Sequence, residues 1–307
     1  MSAVSSRLNQ RKLGKSSKMR TLFILCCITL PIIQFLLFYV YTNASSVVLA
    51  FTDANGNFTL QNFARFFEEF TLSTSTIRIA FRNTLLTFAI EFVTFPLKVM
   101  VSYFLYRKIP GHKTYRIVFF LPQIIFSICT TLMFTRIVGV NGFIAKGIGE
   151  WLGLGYTPEL LGDSRFANIS VLIHLLWLQF PGDLIIWGGT FSRIPEDVLE
   201  AGRVDGTNWW TELTRVIVPL VWPTVALKMV LLFCGIFGAS GQVFLLTRGQ
   251  YGTMTIKAWQ YIQLLDNTST AAYNYLSAVG LLLSIVAIAI SLSVRSITDR
   301  YFADVEY

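Results

Sequence analysis

Residues 21–41 read TLFILCCITLPIIQFLLFYVY, about 21 positions without a charge. A helix rises about 1.5 Å per residue, so such a run crosses the roughly 30 Å apolar slab of a bilayer. Thr42-Asn43-Ala44 is small enough to resemble a signal cleavage site. The apolar stretch exceeds the roughly 7–15 residue core of a signal peptide, however, and it reads as a retained helix. Six basic residues precede it, Arg7, Arg11, Lys12, Lys15, Lys18 and Arg20, with no acid among them. A basic flank of this kind holds a helix end on the cytoplasmic side.

The rest of the chain repeats the pattern. Of its 307 residues 54% are hydrophobic and 14% charged, against about 25% charged in soluble domains. Mean hydropathy is +0.59. Five further apolar segments follow: Ile79–Tyr106 with Arg82, Glu91 and Lys98; Ile117–Val138; Ile169–Trp187 with His174 and Asp183; Val216–Ala239 with Lys228; and the uncharged Tyr275–Val294. The predicted fold is all-α, with six transmembrane helices and both termini cytoplasmic. Arg107, Lys108, Lys113 and Arg116 between the second and third segments, and Arg295 and Arg300 after the last, fit that orientation. The opposite loops, Asn43–Thr76, Gly139–Asn168 and Ser240–Asn274, are longer and poorer in basic residues, and Asp53–Asn57 reads as a turn. Residues 1–20 are then a basic cytoplasmic arm, 21–295 the six-helix membrane domain, and 296–307 a cytoplasmic tail.

Several functions are set aside. The net charge of +8 sits at helix flanks, which assigns it to the membrane surface and not to nucleic acid. Cys26, Cys27, Cys129 and Cys234 lie in apolar blocks without a CxxC pair, and His112 and His174 are the two histidines. No disulfide framework or metal site is expected, and the cysteines read as small buried apolar side chains. Gly14-Lys15-Ser16 mimics the end of a phosphate-binding loop, but position 9 is Asn where that motif needs Gly, and no strand precedes it. No cofactor and no catalytic residue is assigned to this chain.

The stretch joining the fourth and fifth segments, residues 193–215, carries the most information. Pro195 suits a first helical position, and Glu196 and Asp197 complement the positive end of a helix. Gly202 weakens that helix, Asp205-Gly206 supplies a turn that tolerates positive φ, and Asn208 can cap a second helix starting at Trp209. The reading is a helix, a tight turn and another helix on the cytoplasmic face.

Glu200-Ala201-Gly202-Arg203-Val204-Asp205-Gly206, followed by Val216-Ile217-Val218-Pro219 and Pro223, resembles the EAA motif of binding-protein-dependent ABC importer permeases. Gly202 stands where that pattern has its second Ala, and Val218 where it has Leu. Arg82-Asn83-Thr84-Leu85, the stretch Arg116–Pro122 and Asn141-Gly142 resemble sugar-type permeases of the maltose and glycerol-phosphate kind. The resemblance implies a coupling helix that docks in a cleft of a separate ATPase subunit, with Glu200, Ala201, Gly202, Asp205 and Gly206 as coupling residues. It implies as partners a second, related permease, two ATPase subunits that bind the ATP, and an extracellular solute-binding protein. The implied cargo is a carbohydrate, most simply an oligosaccharide. Glycerol-phosphate-like cargo would instead call for cations such as Lys98 and Lys228.

Charges inside spans are functional candidates because lipid disfavours them. Glu91 and Lys98, seven apart, share a helix face and can pair with each other or with a partner chain. Asp183 follows Pro181-Gly182, read as a break or kink that frees backbone groups to line a cavity. Candidate substrate-pathway residues are Glu91, Gln123, Trp177, Gln179 and Asp183, with Trp187 a further ring able to stack on a sugar. An ion-driven secondary transporter is the alternative function, but the paired broken helices and inverted repeats of that class are not visible. A membrane-embedded enzyme lacks a nucleophile, acid or metal constellation.

Overall fold

The computed structural model of the chain describes residues 2–72, 75–153, 155–204, 206–238 and 241–301, and the side chains of all of these except 2–18, 203, 241 and 301. Asp205, Ala239 and residues 302–307 of the expected tail lie outside it. The described residues contain no strand beyond one isolated bridge between Thr52 and Phe58.

The first span, α1 (Ser2–Phe35), continues through a π-helical turn, Leu36–Tyr41, into α2 (Thr42–Ala50). The expected end at Tyr41 is therefore too early. Thr42, Asn43 and Ser46 stay helical because their side chains donate back to the carbonyls of Leu37, Tyr39 and Thr42. None of the most apolar stretch of this span is buried; its far end, α2, packs on the last helix. The Asp53 turn forms as expected. Its carboxylate accepts the N–H groups of Asn55 and Asn57, both at 2.8 Å, and the Asn57 bond leads in holding its pKa below the usual carboxylate value.

Next come α3 (Gln61–Thr71), α4 (Thr76–Tyr106), α5 (His112–Ile124), α6 (Ser127–Val138), α7 (Phe143–Trp151), α8 (Ala167–Phe191) and α9 (Glu196–Val204). After them follow α10 (Trp209–Thr211), a π-helical turn Glu212–Ile217, α11 (Val218–Leu220), α12 (Trp222–Cys234), α13 (Gly241–Thr247), α14 (Ile256–Asp266) and α15 (Thr270–Tyr301). Among the described residues five helical runs are long and apolar enough to cross a membrane: Met19–Ala50, Thr76–Tyr106, Ser127–Trp151, Ala167–Phe191 and Thr270–Arg300. A sixth is available if the bent pair Trp209–Leu220 and Trp222–Cys234 counts as one span.

Three expectations are corrected. The third segment is not one helix: Ile125 and Phe126 adopt extended backbone, which ends α5, and α6 starts afresh at Ser127. The membrane-length run here is Ser127–Trp151, so α7 occupies part of the expected Gly139–Asn168 loop. The fifth span bends by 80° at Val221, where Pro219 and Pro223 remove two amide donors close together. No break occurs at Pro181-Gly182, because α8 runs through both. Packing from α4 and α5 on either side supports it there.

Two apolar cores position the functional regions. At one end Ile77, Ala80, Trp259, Tyr275 and Val279 join α4, α14 and α15. At the other, Val99, Tyr103, Trp187, Phe191, Ile194, Leu199, Leu213 and Ile217 join α4 and α8 to the loop that follows α8. Trp187 is fully buried in this second core, so it offers no face to a sugar. The four cysteines are free and exposed on the chain's surface, contrary to the expected burial. Hydrocarbon is as apolar as a core, so a thiol on a span has no need to turn inward.

Candidate coupling loop and intramembrane charge cluster

In the loop, Pro195 immediately precedes α9, and Glu196 and Asp197 fill its first turn. Leu199 points into the core beside Ile194 and Phe191. That anchoring turns Glu200 and Ala201 outward, and both are exposed. Thr207 closes the helix by donating its N–H and hydroxyl to the Gly202 carbonyl, at 3.1 and 2.7 Å. Gly206 then takes φ +71° with no described atom beyond its chain neighbours within 4 Å of its Cβ position, a conformation that costs other residues about 1–2 kcal/mol. Asn208 caps the next helix by accepting the Thr211 N–H at 2.8 Å. Of the five expected coupling residues the structure places Glu200, Ala201, Gly202 and Gly206 on one short helix and its turn; Asp205 falls outside the described residues.

The loop also presents apolar surface that the motif did not flag. Val204 is 88% exposed, with Trp209 at 44% and Trp210 at 54%. Exposed apolar surface rimmed by polar groups marks an interaction site, and an isolated helix–turn–helix gains nothing from it.

Among the spans, charges converge across three helices. Lys98 of α4 lies with Nζ 2.7 Å from Asp183 Oδ2 of α8, and Lys228 of α12 pairs with Asp183 Oδ1. Glu91, about two helical turns from Lys98 on the same face, is engaged elsewhere. With the Gln179 amide oriented to satisfy both groups, its nitrogen donates to Glu91 at 2.8 and 3.3 Å. The expected Glu91–Lys98 pair is thus replaced by two cross-helix contacts. Spacing along one helix signals shared faces and is silent about neighbours on other helices. A cavity of about 140 Å³ is lined by Glu91, Phe95, Lys98, Asp183, Lys228, Leu231 and Leu232. The structure therefore brings Glu91, Gln179 and Asp183 together. Gln123 sits outside the cavity, with its amide against Gly182. Trp177 lies apart, beside His174 and Phe134, and His174 meets the Thr131 hydroxyl at 3.0 Å.

Asn83 and Thr84, quoted above for their resemblance to sugar-type permeases, have a structural task. Both are buried. Asn83 donates to the carbonyls of Gly252 and Met254 at 2.5 and 2.9 Å and accepts from Asn168 at 3.1 Å. The Thr84 hydroxyl accepts the Ile256 N–H at 2.9 Å. They hold the entry to α14 against α4, well away from the charge cluster.

Residues 11–305 match the family described as binding-protein-dependent transport system inner membrane component. The maltose/maltodextrin transport system permease protein MalF of Vibrio vulnificus is 29% identical over 152 residues, which is 49% of this chain and 29% of MalF. The osmoprotective compounds uptake permease protein GgtC of Synechocystis is 27% identical over 273 residues, covering 85% of this chain and 94% of GgtC. Among solved structures, a chain of a bacterial ABC transporter involved in the import of the acidic polysaccharide alginate superposes with a TM-score of 0.76 at 20% identity, over 92% of this chain and 98% of that one. A family match over almost the whole length, on a helical chain with five to six membrane-length spans among its described residues, has one consequence: the protein belongs to the inner membrane components of binding-protein-dependent transport systems.

Proposed function

We propose that this chain forms one half of the translocation pathway of an ATP-driven importer for an oligosaccharide. An extracellular solute-binding protein delivers the sugar, a second related permease supplies the other half, and two ATPase subunits dock on loops such as 193–215 at the cytoplasmic face. The observation that carries the reading is the loop itself. Its inner face is locked into the core by Ile194 and Leu199, while Glu200, Ala201, Val204 and Gly206 face outward. A helix rigidly attached on one side and open on the other suits docking in a cleft and transmitting its movement to the spans as a rigid body.

The first span supports the second permease. An apolar helix with no buried residue in its most apolar described stretch gains packing from a neighbouring subunit. MalF is named for maltose and maltodextrin and the structural neighbour for alginate, which favours a saccharide cargo. Lys98 and Lys228 are both committed to Asp183, which favours an uncharged sugar over a phosphate ester. Glu91 lines the cavity, with Gln179 bonded behind it, and is the group suited to meet hydroxyls there. Uptake of a labelled panel of mono- and oligosaccharides, amino acids, peptides and phosphate esters, in a strain lacking this gene alone, tests the assignment. Loss confined to oligosaccharides supports it. Unchanged sugar uptake with lost amino-acid, peptide or phosphate-ester uptake overturns the cargo.

A further inference from the structure

Glu212 is a carboxylate in an unusual place. It opens the π-helical turn that joins the loop to the bent fifth span, and it is 2% exposed. Neither of its oxygens accepts a hydrogen bond of ordinary geometry among the described residues, although the Tyr103 hydroxyl lies close enough to interact with it. Its cation is Arg107, whose Nη1 lies 3.3 Å from Oε2. Arg107 is the capping residue at the end of α4. The same Nη1 donates to the Tyr103 hydroxyl at 3.1 Å, and the guanidinium stands 5.9 Å from the centre of that ring. Tyr103 is wholly buried in the core that also holds Leu199 and Leu213.

The apolar part of that core holds the loop in place, but apolar attraction is non-directional. A charge-assisted contact between a guanidinium and a carboxylate is directional. Removing Arg107 leaves the buried Glu212 charge uncompensated, which keeps the two ends paired as the loop moves. The Arg107 end of the pair belongs to the helix that carries Lys98, and Lys98 in turn holds Asp183 of α8. Loop, second span and fourth span are thus linked in series by two ion pairs.

We infer that the Arg107–Glu212 ion pair is the transmission element that converts displacement of loop 193–215 into movement of α4 and, through Lys98–Asp183, of α8. Both are positioning residues and touch neither cargo nor nucleotide. The inference rests on the reading of the loop as the ATPase docking site.

The test uses the complete transporter in proteoliposomes and measures cargo taken up per ATP hydrolysed, with membrane level and melting temperature recorded for each variant. Arg107→Met alone strands the Glu212 charge and can fail to fold, so the central variant is Arg107→Met with Glu212→Leu, which removes both charges and keeps the site apolar. The expected result is normal membrane level, continued ATP hydrolysis and a fall in uptake per ATP of about five-fold or more. Exchange of the two residues, Arg107→Glu with Glu212→Arg, is expected to restore part of that ratio. An unchanged ratio in the double apolar variant overturns the inference. So does a loss of membrane level or melting temperature that accounts for the whole fall, because the pair would then be fold support alone. Glu200→Lys runs beside them: if it transports normally, the docking reading fails and the inference with it; if it is inactive while the double apolar variant keeps its ratio, only the transmission role fails.

Discussion

The ammonium of Lys98 lies 2.7 Å from a carboxylate oxygen of Asp183, joining the second and fourth spans where lipid would otherwise meet both charges. Lys228 of the fifth span occupies the other oxygen. One carboxylate therefore ties three helices, and its side chain is 14% exposed against 1% for Lys98.

Replacing Asp183 by Asn is expected to leave two ammonium groups without their anion. Breaking a buried pair on one side costs about 3–5 kcal/mol, and the partial exposure of Asp183 places this case toward the lower end. The melting temperature of the detergent-solubilised chain should fall clearly, and Asp183→Leu combined with Lys98→Leu and Lys228→Leu should recover most of it. A single Asn variant that melts like the parent would show that the lysines have other anions.

Asn83→Ala is expected to expose the segment around Gly252–Ile256. It removes the amide that ties down the partly exposed carbonyls of Gly252 and Met254, and each lost hydrogen bond costs about 0.5–1.5 kcal/mol. Amide exchange at 252–258 should accelerate while exchange in α8 beyond Leu175 stays slow. Equal protection before and after the change would contradict the structural role given to this motif residue.

Gly206→Ala and Gly206→Trp separate backbone strain from docking. Both carry the same penalty for a left-handed residue, about 1–2 kcal/mol, and neither meets an atom of this chain at the first side-chain carbon. Uptake should survive largely in the Ala variant and fail in the Trp variant, at equal membrane levels. Equal transport by the two would place the ATPase away from this turn.

Affinity purification of the tagged chain from its native membrane is expected to recover a second related permease and an ATPase. A functional monomer that transports without them would contradict the proposed assembly.

Much of the fold could be read from local composition, because lipid imposes a demand that every residue of a span must meet. The uncharged runs at 21–41 and 275–294 are helices for that reason, and the loop around Gly206 formed where its Pro, Gly and Asn pattern placed it. What escaped was tertiary. Ile125 and Phe126 break a span without a Gly or a charge to announce it, whereas Pro181 announces a break that neighbouring helices suppress. Glu91 and Lys98 share a face, yet each found its partner on α8. A one-dimensional pattern reports which residues share a surface and cannot report which surface they meet. Glu212 was passed over within its loop for the same reason: nothing near it in sequence reveals that Arg107, the end of a distant helix, buries it.

The most direct measurement is ATP-driven uptake of labelled oligosaccharide by the reconstituted transporter with Glu200→Lys in this chain. The reversed charge sits on the exposed face of α9 and touches none of the core behind it. Normal membrane insertion with uptake abolished is the expected result. Undiminished uptake at equal protein would mean that the loop does not couple this permease to its ATPase.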